Sequence, residues 1–244
     1  MTIGSAFWRA KNYGYKPLFR YFVFDKLRLD SVEKVNYQLL KQLDLENLGF
    51  DLLDFCEDFC EKIVKQIQSA SESKLIKFSD NFPDSINRLV AIGNALIQYR
   101  PDLYIETGTQ HGVSASFVEE LAIKIGLEIQ VVSFDVVENL WTVSGNYQKI
   151  CFRNQVRKNF TFELQRLSQV ASKIIFFHDS DHSFENMFYE LNLVSKLPNI
   201  GVVISDDIEN NSAFYKVFKK KKFQVSICKI DSGPMAGIAR RIRN

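Results

Sequence analysis

Two rhythms of apolar residues run along the chain, and they change places near residue 102. Between residues 31 and 70, Leu39, Leu40, Leu43, Leu45, Leu48, Leu52, Leu53, Phe55, Phe59, Ile63 and Ile67 recur at three- and four-residue spacing. That repeat predicts amphipathic helix. Asn47-Leu48-Gly49 is the expected break, and Ser69 to Ser73 an expected polar linker. Asp84 to Tyr99 repeats the helical pattern through Ile86, Leu89, Val90, Ile92 and Leu96, and Pro101 stops it.

Beyond residue 102 short apolar runs alternate with helical stretches. Leu103 to Glu106, Glu128 to Phe134, Lys173 to Phe177 and Gly201 to Ser205 predict strands, with a weaker one at Lys149 to Phe152. Helices are predicted at Val113 to Ile125, Thr161 to Ala171, Phe184 to Leu197 and Asn211 to Phe218. Phe223 to Ile230 and Met235 to Ile242 predict an antiparallel pair around Asp231-Ser232-Gly233. Strand–helix alternation implies an α/β, doubly wound parallel sheet covered on both faces. The division expected is a helical extension over 1–84, supplying lid or dimer contacts, and an α/β domain over 85–244.

Composition removes several classes. Of 244 residues 46% are hydrophobic, and 31 Lys plus Arg face 29 Asp plus Glu, a balance of +2. Disordered, collagenous and disulfide-framework proteins are excluded, and a chain that coats nucleic acid is not expected. Cys56, Cys60, Cys151 and Cys228 read as buried or half-buried thiols. Arg9, Lys11, Lys16 and Arg20 interrupt the aromatic start, so it does not read as a signal peptide. A cytoplasmic setting and a homo-oligomer, a dimer in the simplest case, are expected. The basic, aromatic residues 1 to 28 allow two readings: an arm packed on the domain or a dimer mate, or weak contact with an anionic membrane surface.

Candidate chemistry gathers in three loops. In the first, Glu106-Thr107-Gly108-Thr109-Gln110-His111-Gly112-Val113-Ser114 links a strand to a helix. Its glycines let backbone N–H groups approach a ligand, and the helix start favours negative charge. The spacing is not that of the dinucleotide fingerprint, and Glu106 would repel a pyrophosphate. It suits an ammonium group whose carboxylate reaches Ser114. Asp135, 29 residues on, ends the next strand, where an acid can take both hydroxyls of a ribose. Glu106, Gly108, Gly112, Ser114 and Asp135 together favour a ligand made of adenosine and an amino acid, which describes S-adenosylmethionine. A ligand-free turn and a loop-capping acid are the bland alternatives.

The second loop is His178-Asp179-Ser180-Asp181-His182-Ser183 and the third is Ser205-Asp206-Asp207; each follows a buried strand. Both fall on the carboxyl rim of a parallel sheet, where ligands bind. Carboxylates crowded there repel one another. A hard divalent cation such as Mg²⁺, with oxygen ligands, would relieve that; helix capping by Asp179 and Asp207 is the bland alternative. His182, three residues after Asp179, is placed to act as general base toward a substrate hydroxyl. His178 suits packing or the orienting of Asp179, and His111 is a candidate to line the cofactor site.

The first loop resembles the first motif of class I S-adenosylmethionine-dependent methyltransferases. Ile175 to Glu185, followed by Val203 to Ile208, is similar to the small-molecule O-methyltransferase group, which includes catechol-type and cephalosporin-hydroxylase-like proteins. The likeness covers about residues 85 to 244. It implies a Rossmann-like seven-stranded sheet with the last strand antiparallel, and a metal at the positions of Asp179, Asp206 and Asp207. It implies cofactor contacts at Glu106, Gly108, Gly112, Ser114 and Asp135. Catechol-type enzymes carry a lysine base where this chain has His182, and Asp181 belongs to the D-x-D-H form of the subgroup. The reaction implied is metal-assisted methyl transfer to a hydroxyl of a small molecule: a sugar, a phenol or another secondary metabolite. A metal-dependent hydroxylase using His178, His182 and an Asp, and a non-catalytic cofactor-binding subunit, are the rival readings.

Overall fold

The computed structural model describes residues 51–72, 86–138, 143–152, 154–219, 222–230 and 233–242. The aromatic arm, the part of the helix predicted over 31–70 that precedes residue 51, and the division at residue 84 lie outside these residues.

The first two elements among the described residues are helices, α1 (Leu52–Glu72) and α2 (Ile86–Tyr99). The alternating part follows: β1 (Leu103–Thr107), α3 (Val113–Lys124), β2 (Gln130–Asp135), β3 (Gln148–Cys151), α4 (Val156–Val170), β4 (Ile174–His178), α5 (Phe184–Val194), β5 (Ile200–Ser205), a 3₁₀ turn (Ile208–Asn210), α6 (Ala213–Phe218), β6 (Phe223–Cys228) and β7 (Ala236–Arg241). The strands form one seven-stranded sheet in the order β3-β2-β1-β4-β5-β7-β6. β7 is inserted antiparallel between β5 and β6, with Ser205 beside Gly237 and Cys228 beside Ala236. The resemblance implied this arrangement.

Every residue of β1, β4 and β5 is buried, because helices cover both faces of the sheet. Alternation sends Phe176 toward a core with Phe160, Leu164, Met187 and Phe214. It sends Ile175 and Phe177 toward the other core, with Ile92, Leu96, Phe117 and Leu121. α1 belongs to that second core: Phe59 meets Phe117 edge-on at 5.2 Å, and Leu52 lies against Gly93 of α2. All four cysteines carry thiols, and burial pushes that of Cys56 far up.

Boundaries depart from the apolar rhythm where tertiary contacts override it. α4 begins at Val156 rather than Thr161, because Val156 and Phe160 are buried in the first core although basic residues stand between them. α1 continues through Ser69 to Glu72, beyond the start of the expected linker. α5 ends at Val194, three residues short of its predicted end. No described helix is long and apolar enough to cross a membrane.

Candidate active site

The loop after β1 is bound to its neighbours through backbone. Gly108 has φ of +90°, and its N–H donates to the Phe134 carbonyl at 2.8 Å. A Cβ at this position would lie 1.9 Å from the Asp179 carbonyl oxygen, so the loops after β1 and β4 touch here. Gly112 (φ +73°) has the Tyr147 hydroxyl where its own Cβ would be. Glu106 and Ser114 lie beneath this loop rather than on a cavity wall. The buried Glu106 carboxylate accepts from Ser114 Oγ at 2.6 Å, Ser133 Oγ at 2.5 Å and the Tyr104 hydroxyl at 3.1 Å. Burial raises its pKa.

A cavity of about 410 Å³ opens along the carboxyl ends of the strands. Strand order sets its polarity. Phe134 and Val136 from the end of β2, Phe152 after β3, and Val156 and Phe160 of α4 make the end near the β3 edge apolar. Asp135 lies beside them, its Oδ2 accepting from the Gln110 N–H at 2.7 Å and its Oδ1 from the N–H of Val136 at 2.6 Å. Toward β5 the lining is ionic, with Asp179, His182, Asp206 and Asp207 together and Arg88 among them.

His182 stands between two carboxylates. Its Nδ1 is 3.3 Å from Asp207 Oδ2 and its Nε2 3.7 Å from Asp179 Oδ1, with no hydrogen bond to Nε2. Asp207 has φ of +53°, a left-handed conformation at the strand end that sets its side chain apart from that of Asp206. Asp181 accepts from the Ser183 N–H and hydroxyl, and Ser183 in turn caps α5 by accepting from the Asn186 N–H. His111 is not among the described residues lining the cavity; its carbonyl accepts from the Val143 N–H.

The carboxylate rim does not fit a divalent ion as it is built. Arg88 of α2, a lone basic residue in an apolar helix that no motif marks, places Nη1 3.1 Å from Asp179 Oδ2 and 3.5 Å from Asp206 Oδ2. A cation bridging those two aspartates would compete for the same place. Beside the guanidinium it would be repelled by roughly 8 kcal/mol, for a double charge about 4 Å away at an effective dielectric of 20. Asp206 Oδ1 is buried without a partner, yet one oxygen is a single ligand of the about six that Mg²⁺ takes. Among the described residues no group of three or more His, Cys, Asp or Glu is arranged to hold a metal.

Thr107, Ser180 and Glu190 also line the cavity and belong to a network that no motif announced. Glu190 accepts from Thr107 Oγ1 at 2.8 Å, Asn186 Nδ2 at 3.0 Å and Ser180 Oγ at 3.1 Å. Burial pushes its pKa up to about 7. His178 is fully buried against it, with Nε2 3.6 Å from Glu190 Oε2, and burial pushes the imidazole down to about 3. The folded protein therefore holds a proton on Glu190 that the unfolded chain, titrating near 4.5, releases. Stability from Glu190 falls as pH rises from about 4.5 to about 7, whereas that from His178 is lost as pH falls below about 6.5. Because the two oppose each other, the test is a difference. Urea melts should show wild type losing stability relative to Glu190→Gln as pH rises through the Glu190 window. A gap that stays constant with pH would contradict this.

Residues 81–226, more than half of the chain, match the model of the family described as rhamnosyl O-methyltransferase/CmcI. No curated protein sequence matches the chain. Among solved structures, the Podospora anserina methyltransferase PaMTH1 with S-adenosylhomocysteine bound is 11% identical at a TM-score of 0.51, covering 82% of this chain and 98% of its own. An O-methyltransferase from Bacillus cereus in complex with S-adenosylhomocysteine is 12% identical at 0.49, covering 75% and 91%. CmcI with Mg and S-adenosylmethionine is 15% identical at 0.46, covering 69% and 80%. At such identities the likeness is one of fold.

Proposed function

Because the chain belongs to the rhamnosyl O-methyltransferase/CmcI family, among the class I S-adenosylmethionine-dependent O-methyltransferases, we propose that it methylates a hydroxyl of a small molecule, with His182 as general base. Sugars are the acceptors to test first and phenols next. The observation that carries this reading is the placement of His182 in the cavity lining: Nδ1 faces Asp207 at 3.3 Å, and Nε2 makes no hydrogen bond.

S-adenosylmethionine, when bound, supplies a methyl group on a sulfonium that leaves as a thioether. The residues that would hold it are Asp135, for the ribose hydroxyls, and Phe152 and Val156, for the flat base; Gly108 keeps the loop beside them free of side chain. Asp207, 3.3 Å from Nδ1, favours the tautomer with its proton there, which leaves the lone pair on Nε2. Nε2 takes the acceptor hydroxyl proton as the oxygen–methyl bond forms. Asp179, 3.7 Å away, then faces the imidazolium. The hydroxylase reading is disfavoured because His178 turns toward Glu190 and does not line the cavity.

Calorimetric titration with S-adenosylhomocysteine, joined to radiolabelled methyl transfer onto sugars and phenols, tests the proposal. Asp135→Asn should weaken S-adenosylhomocysteine roughly ten- to hundred-fold, the worth of hydrogen bonds to a charged group. Unchanged affinity would remove Asp135 from the site, and no binding by the wild type would end the methyl-transfer reading.

A further inference from the structure

The geometry points to Arg88 as the built-in cation of the acidic rim, positioning Asp179 and Asp206 so that the site works without a divalent metal ion. The inference deepens the methyl-transfer reading above and depends on it only for its activity arm.

Three observations carry it. First, the guanidinium is among the acids of the rim, with one nitrogen, Nη1, bridging two carboxylates from the loops after β4 and β5. An arginine keeps its charge when buried, whereas a buried lysine loses its proton readily. Second, the side chain is built in. It is only 10% exposed, and its turn of α2 is anchored next door by Asn87, whose Nδ2 donates to the Pro234 carbonyl at 2.8 Å and whose Oδ1 accepts from the Ile230 N–H at 2.5 Å. Pro234 itself lines the cavity, so the anchor fixes the helix to the site's own wall. Third, the remaining acid is matched as well, since Asp207 faces His182 Nδ1. The crowding that would call for a metal is relieved within the chain. Burial raises the pKa of Asp206, and Arg88 opposes that shift. Arg88 is thus a positioning residue: it holds Asp179 across from His182 Nε2.

The test titrates Mn²⁺ into the protein, followed by calorimetry and electron paramagnetic resonance, with S-adenosylhomocysteine present and absent. Wild type should take up no Mn²⁺ at millimolar concentration, and its turnover should survive dialysis against EDTA unchanged. Arg88→Ala, with the Asp179 and Asp206 carboxylates left beside the vacated position, should gain Mn²⁺ binding that wild type lacks. Stoichiometric Mn²⁺ on wild type, or turnover lost to EDTA and restored by metal, would overturn the inference. So would an Arg88→Ala protein that still binds S-adenosylhomocysteine but gains no Mn²⁺. If that variant does not fold, the wild-type titration decides alone. Failure of wild type to bind S-adenosylhomocysteine counts against the methyl-transfer reading and leaves the Mn²⁺ result standing by itself.

Discussion

Replacing His182 with alanine should lower kcat by about 10²- to 10⁴-fold, the range over which a positioned general base acts. S-adenosylhomocysteine affinity should stay as in wild type. The separation follows from the cavity's polarity: His182 lines the ionic end with Asp179, Asp206 and Asp207, whereas Asp135, Phe152 and Val156 come from the β2 and β3 side. His182→Gln refines the test, because an amide can still bond Asp207 but carries no basic nitrogen. Both variants should be equally slow, and raising the pH should restore part of the rate as solvent hydroxide takes over the proton. A His182→Ala enzyme that turns over within a few-fold of wild type would remove His182 from the chemistry. A variant that loses S-adenosylhomocysteine binding would give His182 a structural role instead.

Gly108→Ala should be the most damaging small substitution in the described part of the chain. Its φ of +90° is strained for any residue with a Cβ, at roughly 1–3 kcal/mol. The larger cost is contact: the added carbon would sit 1.9 Å from the Asp179 carbonyl oxygen and 2.5 Å from its carbon. These are backbone atoms of the next loop, tied down by the Asp179 N–H donating to the Thr107 carbonyl at 2.9 Å. Relief requires β1 and β4 to part at the rim. The expected loss is several kcal/mol, a large share of the about 5–15 kcal/mol that holds an ordinary domain. S-adenosylhomocysteine binding should go with it. Gly93→Ala is the control. There the added carbon meets Leu52 Cδ1 at 2.7 Å, a side-chain end that can rotate, so the fall in urea midpoint should be much smaller. Equal losses for the two glycines would refute the distinction between backbone and side-chain contact.

Much of the fold was legible because burial writes itself into periodicity. β4 and β5 are covered on both faces, so Ile174–His178 and Ile200–Ser205 read as near-continuous apolar runs. β3 was faint because it lies at the sheet's edge with no fully buried residue, and α4 was shortened because Arg157 and Lys158 stand between the buried Val156 and Phe160. The site was legible by loop rather than by partner. Asp179, His182, Asp206 and Asp207 do meet at one end of a cavity. Glu106, near the end of β1, and Ser114, in the first turn of α3, bond each other beneath the loop that joins them. Arg88 left no local signal, being one basic residue on a helix 91 positions before Asp179.

The sequence alone determined the order of strands and helices, the glycine loop and the acidic rim, because each depends on residues a few positions apart. Tertiary structure decided what answers the charge on that rim. Electrostatic pairing acts over a few ångströms of space, whatever the separation along the chain, and so the cation was found on α2, in Arg88.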